Sequence, residues 1–460
     1  MRYRIITYGC QMNERDSDAL AAMLEDLGYR PAAAGEPEDL VVFNTCCVRE
    51  NAERKIMGRV LEYRLEKERR PELLVGVGGC FPQQPGAAER IAGQAPWLDF
   101  IFGTHNSSRV PVLVATARMR AGLRAETGSG PYGPVIEIDD SPDDAAVDQP
   151  RLAARRVEAL VNVSFGCDNY CSYCIVPYVR GRERSRPVQA VVDEVVGLAR
   201  QGVREVTLLG QNVNSYGRDL AGGADFPGLL AAVDMAASPF GLVRIRFVTS
   251  HPRDLSHRLI EAMATLPAVC EHIHLPVQAG SDRVLKAMNR GYTRGHYLAL
   301  VERLRRAVPG VGLTTDIIVG FPGETEEDFE QTLELVRLAC FDSAFTFAYS
   351  RRRGTPAAEM AEQVPLPVRR ERLARLNRLQ EEVSRESLAR LVDTGQEVLF
   401  LGPSEKDPNV MAGRTRAFHY VLTPAPAELR GRLAMVRIRA ARTWTLSGEL
   451  VPATGEGASR

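Results

Sequence analysis

Between residues 159 and 350 the sequence repeats one pattern six times: a short apolar run followed by a stretch with helical spacing. The runs are ALVNVSF, EVTLLG, VRIRFVTS, EHIHLPV, GLTTDIIVGF and AFTFAYS. Strands separated by helices are joined by crossovers, which makes neighbouring strands parallel and the connections right-handed. This restricts the chain to the α/β class, with a six-stranded partial barrel, a (βα)6 unit, expected over residues 153–383. In such folds ligands meet the loops that follow the carboxyl ends of the strands, so chemistry is sought there.

The remaining sequence divides around that unit. Residues 1–120 alternate β-rich runs (Arg2 to Tyr8, Leu40 to Phe43, Leu73 to Val77) with helical ones (Ser17 to Leu27, Val48 to Arg70), which predicts a small open α/β domain. Residues 121–152 are rich in Gly, Pro and Asp and read as a linker. From Val368 to Leu391 the leucines fall on one helical face, a strut leading out of the barrel. Residues 386–454 change to β-rich runs broken by Gly and Pro, a small all-β module. With 45% hydrophobic and 25% charged residues the chain is neither disordered nor a disulfide miniature. Lys+Arg and Asp+Glu both total 58, so a nucleic acid must be met by local basic patches and not by a global field. No signal-like or membrane-length apolar run is present, and a cytoplasmic location is expected.

Nine cysteines in such a compartment point to thiols or metal ligands more than to disulfides. Cys167, Cys171 and Cys174, spaced C-x3-C-x2-C, follow the first strand of the partial barrel. Three thiolates in one loop hold three irons of a [4Fe–4S] cluster and leave the fourth iron without a protein ligand. The alternatives are a zinc site, which needs a fourth Cys or His that this loop lacks, and chance clustering. Cys10, Cys46 and Cys80 each lie just after a predicted strand, where an open α/β sheet brings distant residues to one crevice. A second cluster is expected on them, with Gly78 and Gly79 giving room beside Cys80. A buried apolar role is the alternative for each taken alone. Cys47 is expected to stay out of that site, because two adjacent thiols do not easily point into it. Cys270 and Cys340 read as core thiols.

The C-x3-C-x2-C loop, together with YGCQMN, NTC-x-VRENAE, LLGQNVNSYG, HLPVQAGSDRVLKAMNRGYT and TTDIIVGFPGETEEDF, resembles the methylthiotransferase family within the radical S-adenosylmethionine (SAM) superfamily. The resemblance covers nearly the whole chain. It implies an N-terminal methylthiotransferase domain, a radical SAM core and a C-terminal TRAM (OB-like) module that binds RNA. Two [4Fe–4S] clusters and SAM are the implied cofactors: one SAM methylates a sulfur on the N-terminal cluster, and another yields the 5′-deoxyadenosyl radical. Carbon 2 of N(6)-dimethylallyladenosine, next to the anticodon of tRNA, would gain the methylthio group. The resemblance also implies that Tyr173 packs on the adenine of SAM and places Gln211 and Asn212 near its amino group. Gln278, Ser281 and Asp316, after later strands, complete the expected pocket. Satisfied loop polars remain the other reading of those three.

Arg180, Arg182, Arg184 and Arg186 follow the cysteine loop, where an anticodon backbone must approach, and are expected to meet phosphates. Arg414 and Arg416 alternate along a predicted strand of the last module, as do Arg437 and Arg439, and are expected to line an RNA-binding face. Solvated strand faces are the alternative. Partners implied by the resemblance are the tRNA anticodon loop, an electron-donor protein and a sulfur source, with no membrane, and the enzyme is expected to be a monomer. Competing functions keep the chemistry but act on threonylcarbamoyladenosine or ribosomal protein S12, or reduce the chain to a non-catalytic RNA-binding electron carrier. Two departures from the family pattern are Arg351 and Arg353, where prolines are common, and GRTRAFHYV, where RNA contacts are expected to change.

Overall fold

The computed structural model describes residues 1–47, 50–127, 133–139 and 156–452. The N-terminal part is a six-stranded parallel sheet ordered β2-β1-β3-β4-β5-β6. Its strands are β1 (Arg2–Thr7), β2 (Arg30–Pro31), β3 (Leu40–Thr45), β4 (Leu74–Gly79), β5 (Phe100–Phe102) and β6 (Val135–Glu137). β3 and β4 are buried at every position, which is why both read as continuous apolar runs and not as alternating ones. Helices α1 (Gln11–Asp26), α2 (Glu50–Arg69), α3 (Ala87–Gln94) and α4 (Val110–Thr127) accompany the sheet. Part of the expected linker belongs to this domain. α4 runs through residue 127, and β6 adds the sixth strand beside β5. Residues 128–132 and 140–152 of that linker lie outside the described residues.

The second part holds the six expected strands in two parallel runs of three. One is ordered Arg244–Val248, Glu205–Leu209, β7 (Glu158–Asn162), the other His272–His274, Gly312–Val319, Ser343–Ala348. Backbone bonds Cys270 N to Ile245 O (2.9 Å) and Ser250 N to His274 O (3.2 Å) join the runs into one partial barrel. Its core is aliphatic, with the helices contributing one face each, as in Val191, Val195 and Leu198 of Val188–Arg200. Helix Leu366–Ala389 buries Leu376 and Leu388, and its Arg372 pairs with Glu324 at 2.8 Å. The last part is a closed five-stranded barrel, Gly395–Pro403, Val410–Thr415, Tyr420–Pro424, Leu446–Leu450 and Leu433–Ala441.

Buried charge locks these parts together. Glu194 lies between Arg15 of α1 (2.8 Å) and Arg186 (2.6 Å), and none of the three side chains is more than 5% exposed. A buried pair contributes little net stability, yet removing one partner strands the rest. Glu194→Ala is therefore expected to destabilise the protein by about 3–5 kcal/mol, read as a lower thermal midpoint. Replacing all three with apolar residues of similar size should recover most of that loss. An unchanged midpoint for Glu194→Ala would contradict the lock.

At the other end, Arg244 and Arg246 start a barrel strand and are buried, and Arg246 forms an ion pair with Glu205 at 2.9 Å. Their guanidiniums donate to the carbonyls of Arg414 (2.6 Å), Thr415 (2.7 Å) and Arg416 (2.7 Å). The C-terminal barrel thus closes the amino-terminal mouth of the partial barrel. Phe418 stacks on His272 there, with ring centroids 4.6 Å apart.

Candidate active site

The loop after β7 turns at Gly166 (φ 73°), where a Cβ would lie 2.0 Å from the Arg182 carbonyl, so only glycine fits. It is braced from behind: Ser172 Oγ donates to Ala287 O (2.8 Å), and Asn289 Nδ2 to Tyr170 O (3.0 Å). Cys167 and Cys171 are buried and Cys174 half-buried, all three on the wall of one cavity. Burial pushes the Cys167 thiol up to about 12, so the isolated loop holds it as a thiol. A bound metal removes such a proton outright.

The cavity measures 450 Å³ and opens at the carboxyl ends of the strands. Tyr173, Gln211, Gln278 and Asp316 line it. Its buried polar atoms Gln278 Oε1, Ser250 Oγ and His251 Nε2 have no partner among the described residues. Buried polar groups are nearly always paired, so these atoms suit a polar ligand. His251 accepts the Arg253 amide proton at Nδ1 (3.2 Å), and burial together with the Arg290 charge holds the ring neutral. Its remaining proton is therefore on Nε2, a donor facing the cavity. A three-thiol rim beside a cavity with unpaired donors and acceptors fits a cluster with an open iron and an amino-acid-bearing ligand. Among the described residues no three or more His, Cys, Asp or Glu side chains are placed to hold a single metal ion.

Two expected pocket residues lie elsewhere. Asn212 is buried and spent within the protein, donating to Asp254 Oδ2 (2.7 Å) and accepting from the His251 amide (3.1 Å). Ser281 caps the helix Asp282–Ala287 and donates to Asp328 at 2.6 Å. Ser281 satisfies the helix it precedes, and Asn212 ties its loop to the 251–254 turn. Sequence reasoning missed Arg290, whose Nη1 lies 3.3 Å from Cys171 Sγ and 3.5 Å from Tyr173 Oη. The NRGYT motif was the available signal.

In the N-terminal sheet, Cys10 follows β1 and N-caps α1, and Cys80 follows β4. Cys46 and Cys47, past the end of β3, are both 3% exposed. Beyond the strand, alternation is no longer imposed, and the adjacent thiols divide. Cys46 Cβ sits close against Gly9, next to Cys10, whereas the Cys47 side chain packs with Cys80. Cys47, expected to stay out of the site, has its side chain packed with Cys80. Gly78 and Gly79 serve protein atoms, since a Cβ would meet the Phe102 ring at 2.0 Å and the Thr45 carbonyl at 2.5 Å. Helix α5 (Val176–Arg180), which leaves the Cys167–Cys174 loop, packs Ile175 and Val179 against Cys47 and Cys80. One short segment thus links the Cys167–Cys174 loop to Cys47 and Cys80.

The arginines expected on RNA mostly serve the fold. Arg180 is buried against Asp16 (2.7 Å), and Arg186 against Glu194. Arg414 pairs with Glu158 (2.9 Å) and Arg416 with Glu271 (2.6 Å), both across the seam with the C-terminal barrel. The GRTRAFHYV segment therefore docks that barrel, and its departure bears on packing there. Arg182 is exposed beside Asp168 (3.2 Å), and Arg184 is half-buried. Arg351 donates to the Ala358 carbonyl (2.5 Å), a local loop tie.

Residues 161–336 match the radical SAM superfamily, and residues 2–103 match the uncharacterized protein family UPF0004. The chain is 51% identical to a tRNA-2-methylthio-N(6)-dimethylallyladenosine synthase of Moorella thermoacetica, and 48% identical to one of Syntrophomonas wolfei. Each alignment covers 98% of both chains. The fold is similar to that of the radical SAM methyltransferase TsrM from Kitasatospora setae, solved with cobalamin and a [4Fe–4S] cluster. That likeness has a TM-score of 0.55 at 18% identity and covers 78% of this chain and 77% of the other.

Proposed function

The chain belongs to the family of tRNA-2-methylthio-N(6)-dimethylallyladenosine synthases, and from that premise we propose how its residues divide the reaction. It is a radical SAM methylthiotransferase acting on N(6)-dimethylallyladenosine of tRNA, with SAM and two [4Fe–4S] clusters as cofactors. Cys167, Cys171 and Cys174 would hold one cluster, and Cys10, Cys46 and Cys80 the other, with Cys47 the competing ligand to Cys46. When bound, these cofactors supply a radical able to take hydrogen from an unactivated carbon and the sulfur that replaces it.

The protein's share is positioning. Tyr173, Gln211, Gln278 and Asp316 orient the methionine and adenine ends of SAM, with Ser250 and His251 as further donors. The observation that supports this reading is the short segment 175–179, which leaves the Cys167–Cys174 loop and packs against Cys47 and Cys80 of the N-terminal sheet, so that the proposed radical source and sulfur source would be close enough to serve one substrate. Anaerobic reconstitution with tRNA bearing dimethylallyladenosine, followed by mass spectrometry of its nucleosides, is expected to yield the 2-methylthio derivative. Modification of threonylcarbamoyladenosine alone would overturn the substrate assignment.

An electron-donor protein and a sulfur source would be the partners besides tRNA, whose anticodon loop enters at the cavity. The enzyme would act as a monomer in the cytoplasm, since one chain supplies both triads. No described helix is long and apolar enough to cross a membrane. The C-terminal barrel would be a TRAM-type RNA contact. Its exposed strand face carries Met435, Arg437 and Arg439, with the exposed Trp444 beyond. An Arg on phosphate and a Trp stacked on a base each contribute on the order of 1 kcal/mol or more. Arg437→Ala with Trp444→Ala should raise the Kd for tRNA roughly tenfold while leaving uncoupled SAM cleavage intact. Filter binding at two salt concentrations checks this, and unaltered affinity would remove the face from the contact.

A further inference from the structure

Arg180 is a buried cation that neither the ligand set nor a phosphate contact accounts for. It ends α5, and its side chain is 7% exposed. The guanidinium pairs with Asp16 at 2.7 Å and lies within electrostatic reach of the Cys80 and Cys10 thiols, and its chain neighbour Val179 packs against Cys80. Arg15, Arg184, Arg186 and His105 line the same seam, where Glu194 offsets Arg15 and Arg186. A cation held this deeply needs compensation by a fixed anion. Asp16 supplies one charge. Neutral thiols at Cys10 and Cys80 add none, whereas thiolates ligating a cluster, and an anionic sulfur on its open iron, do.

We propose that Arg180 is a positioning residue of the methylthiolation reaction: its guanidinium, aimed by Asp16, stabilises negative charge at the N-terminal cluster and at the sulfur anion bound there. This rests on the two-cluster reading above. A cation beside a ligating sulfur raises a cluster's reduction potential, and a charge-assisted bond to a thiolate strengthens its binding.

The test uses the full chain with Cys167, Cys171 and Cys174 all replaced by Ala, so that only the N-terminal cluster assembles. Its potential is read by redox titration with electron paramagnetic resonance, and its affinity for methanethiolate by spectral titration. Arg180→Gln is expected to lower the potential and weaken methanethiolate roughly tenfold, and Arg180→Lys to stay near the parent. Asp16→Asn should move the potential the opposite way, upward, since it removes a negative charge. A purely structural role would not give opposite signs. An Arg180→Gln protein with full iron and unshifted potential would overturn the proposal. Should that variant fail to hold iron, a potential in Asp16→Asn that stays or falls would overturn it equally. If the parent itself assembles no cluster, the two-cluster reading fails first, a result distinct from either.

Discussion

Replacing Cys167, Cys171 or Cys174 with Ala is expected to bring 5′-deoxyadenosine production from SAM down to background. The three thiols are supplied by one loop whose shape is set by the turn at Gly166 and by ties to Ala287 and Asn289 outside it. No other cysteine among the described residues lines this cavity to stand in for a lost ligand. The substituted side chains face the cavity and not the aliphatic core, so the fold should survive. Circular dichroism should match the parent while iron content falls by about half. Normal 5′-deoxyadenosine yield from any of the three variants would refute the radical assignment.

The second large effect separates the two products of one reaction. Cys10→Ala or Cys80→Ala should spare SAM cleavage yet give no methylthio nucleoside, because these thiols belong to another sheet and leave the barrel loop untouched. Measuring 5′-deoxyadenosine and the modified nucleoside in the same reaction decides it. Loss of both would mean that the sites depend on each other through α5. In the same assay Cys46→Ala is expected to lose the second cluster and Cys47→Ala to keep it. The side-chain contact between Cys47 and Cys80 makes the reverse outcome the informative one, since iron lost only from the Cys47 variant would exchange the two roles.

The fold was legible where burial is uniform. The six core strands and β1, β3 and β4 announce themselves as apolar runs, and the C-x3-C-x2-C loop marks the end of β7 without help from structure. The three-residue strands β5 and β6 were missed because a strand that short has no periodicity to read. Polar side chains were the weaker ground. Gln278 and Asp316 face the cavity, but Asn212 and Ser281, just as polar and just as close to strand ends, turn to Asp254 and to a helix cap. Spacing along the chain does not carry that choice, which depends on which hydrogen-bond partner lies within reach. The arginines fail for a related reason. A basic run looks the same whether it meets solvent or a carboxylate from a distant segment, and Glu194, Glu158 and Glu271 are such carboxylates.

The docking of the C-terminal barrel has a consequence for how such a chain is rearranged. Arg244 and Arg246 spend their protons on carbonyls of residues 414–416, so cutting the chain near residue 393 would leave two cations without those partners at an opened barrel mouth. A graft that exchanges this module for a foreign one would inherit the same defect unless the 413–419 hairpin travelled with it. The transplantable unit is therefore larger than the domain. It includes the first residues of the strands beneath, and a chimera designed at those joints, with Glu205 and both arginines retained or all three made apolar, is the one expected to express and fold.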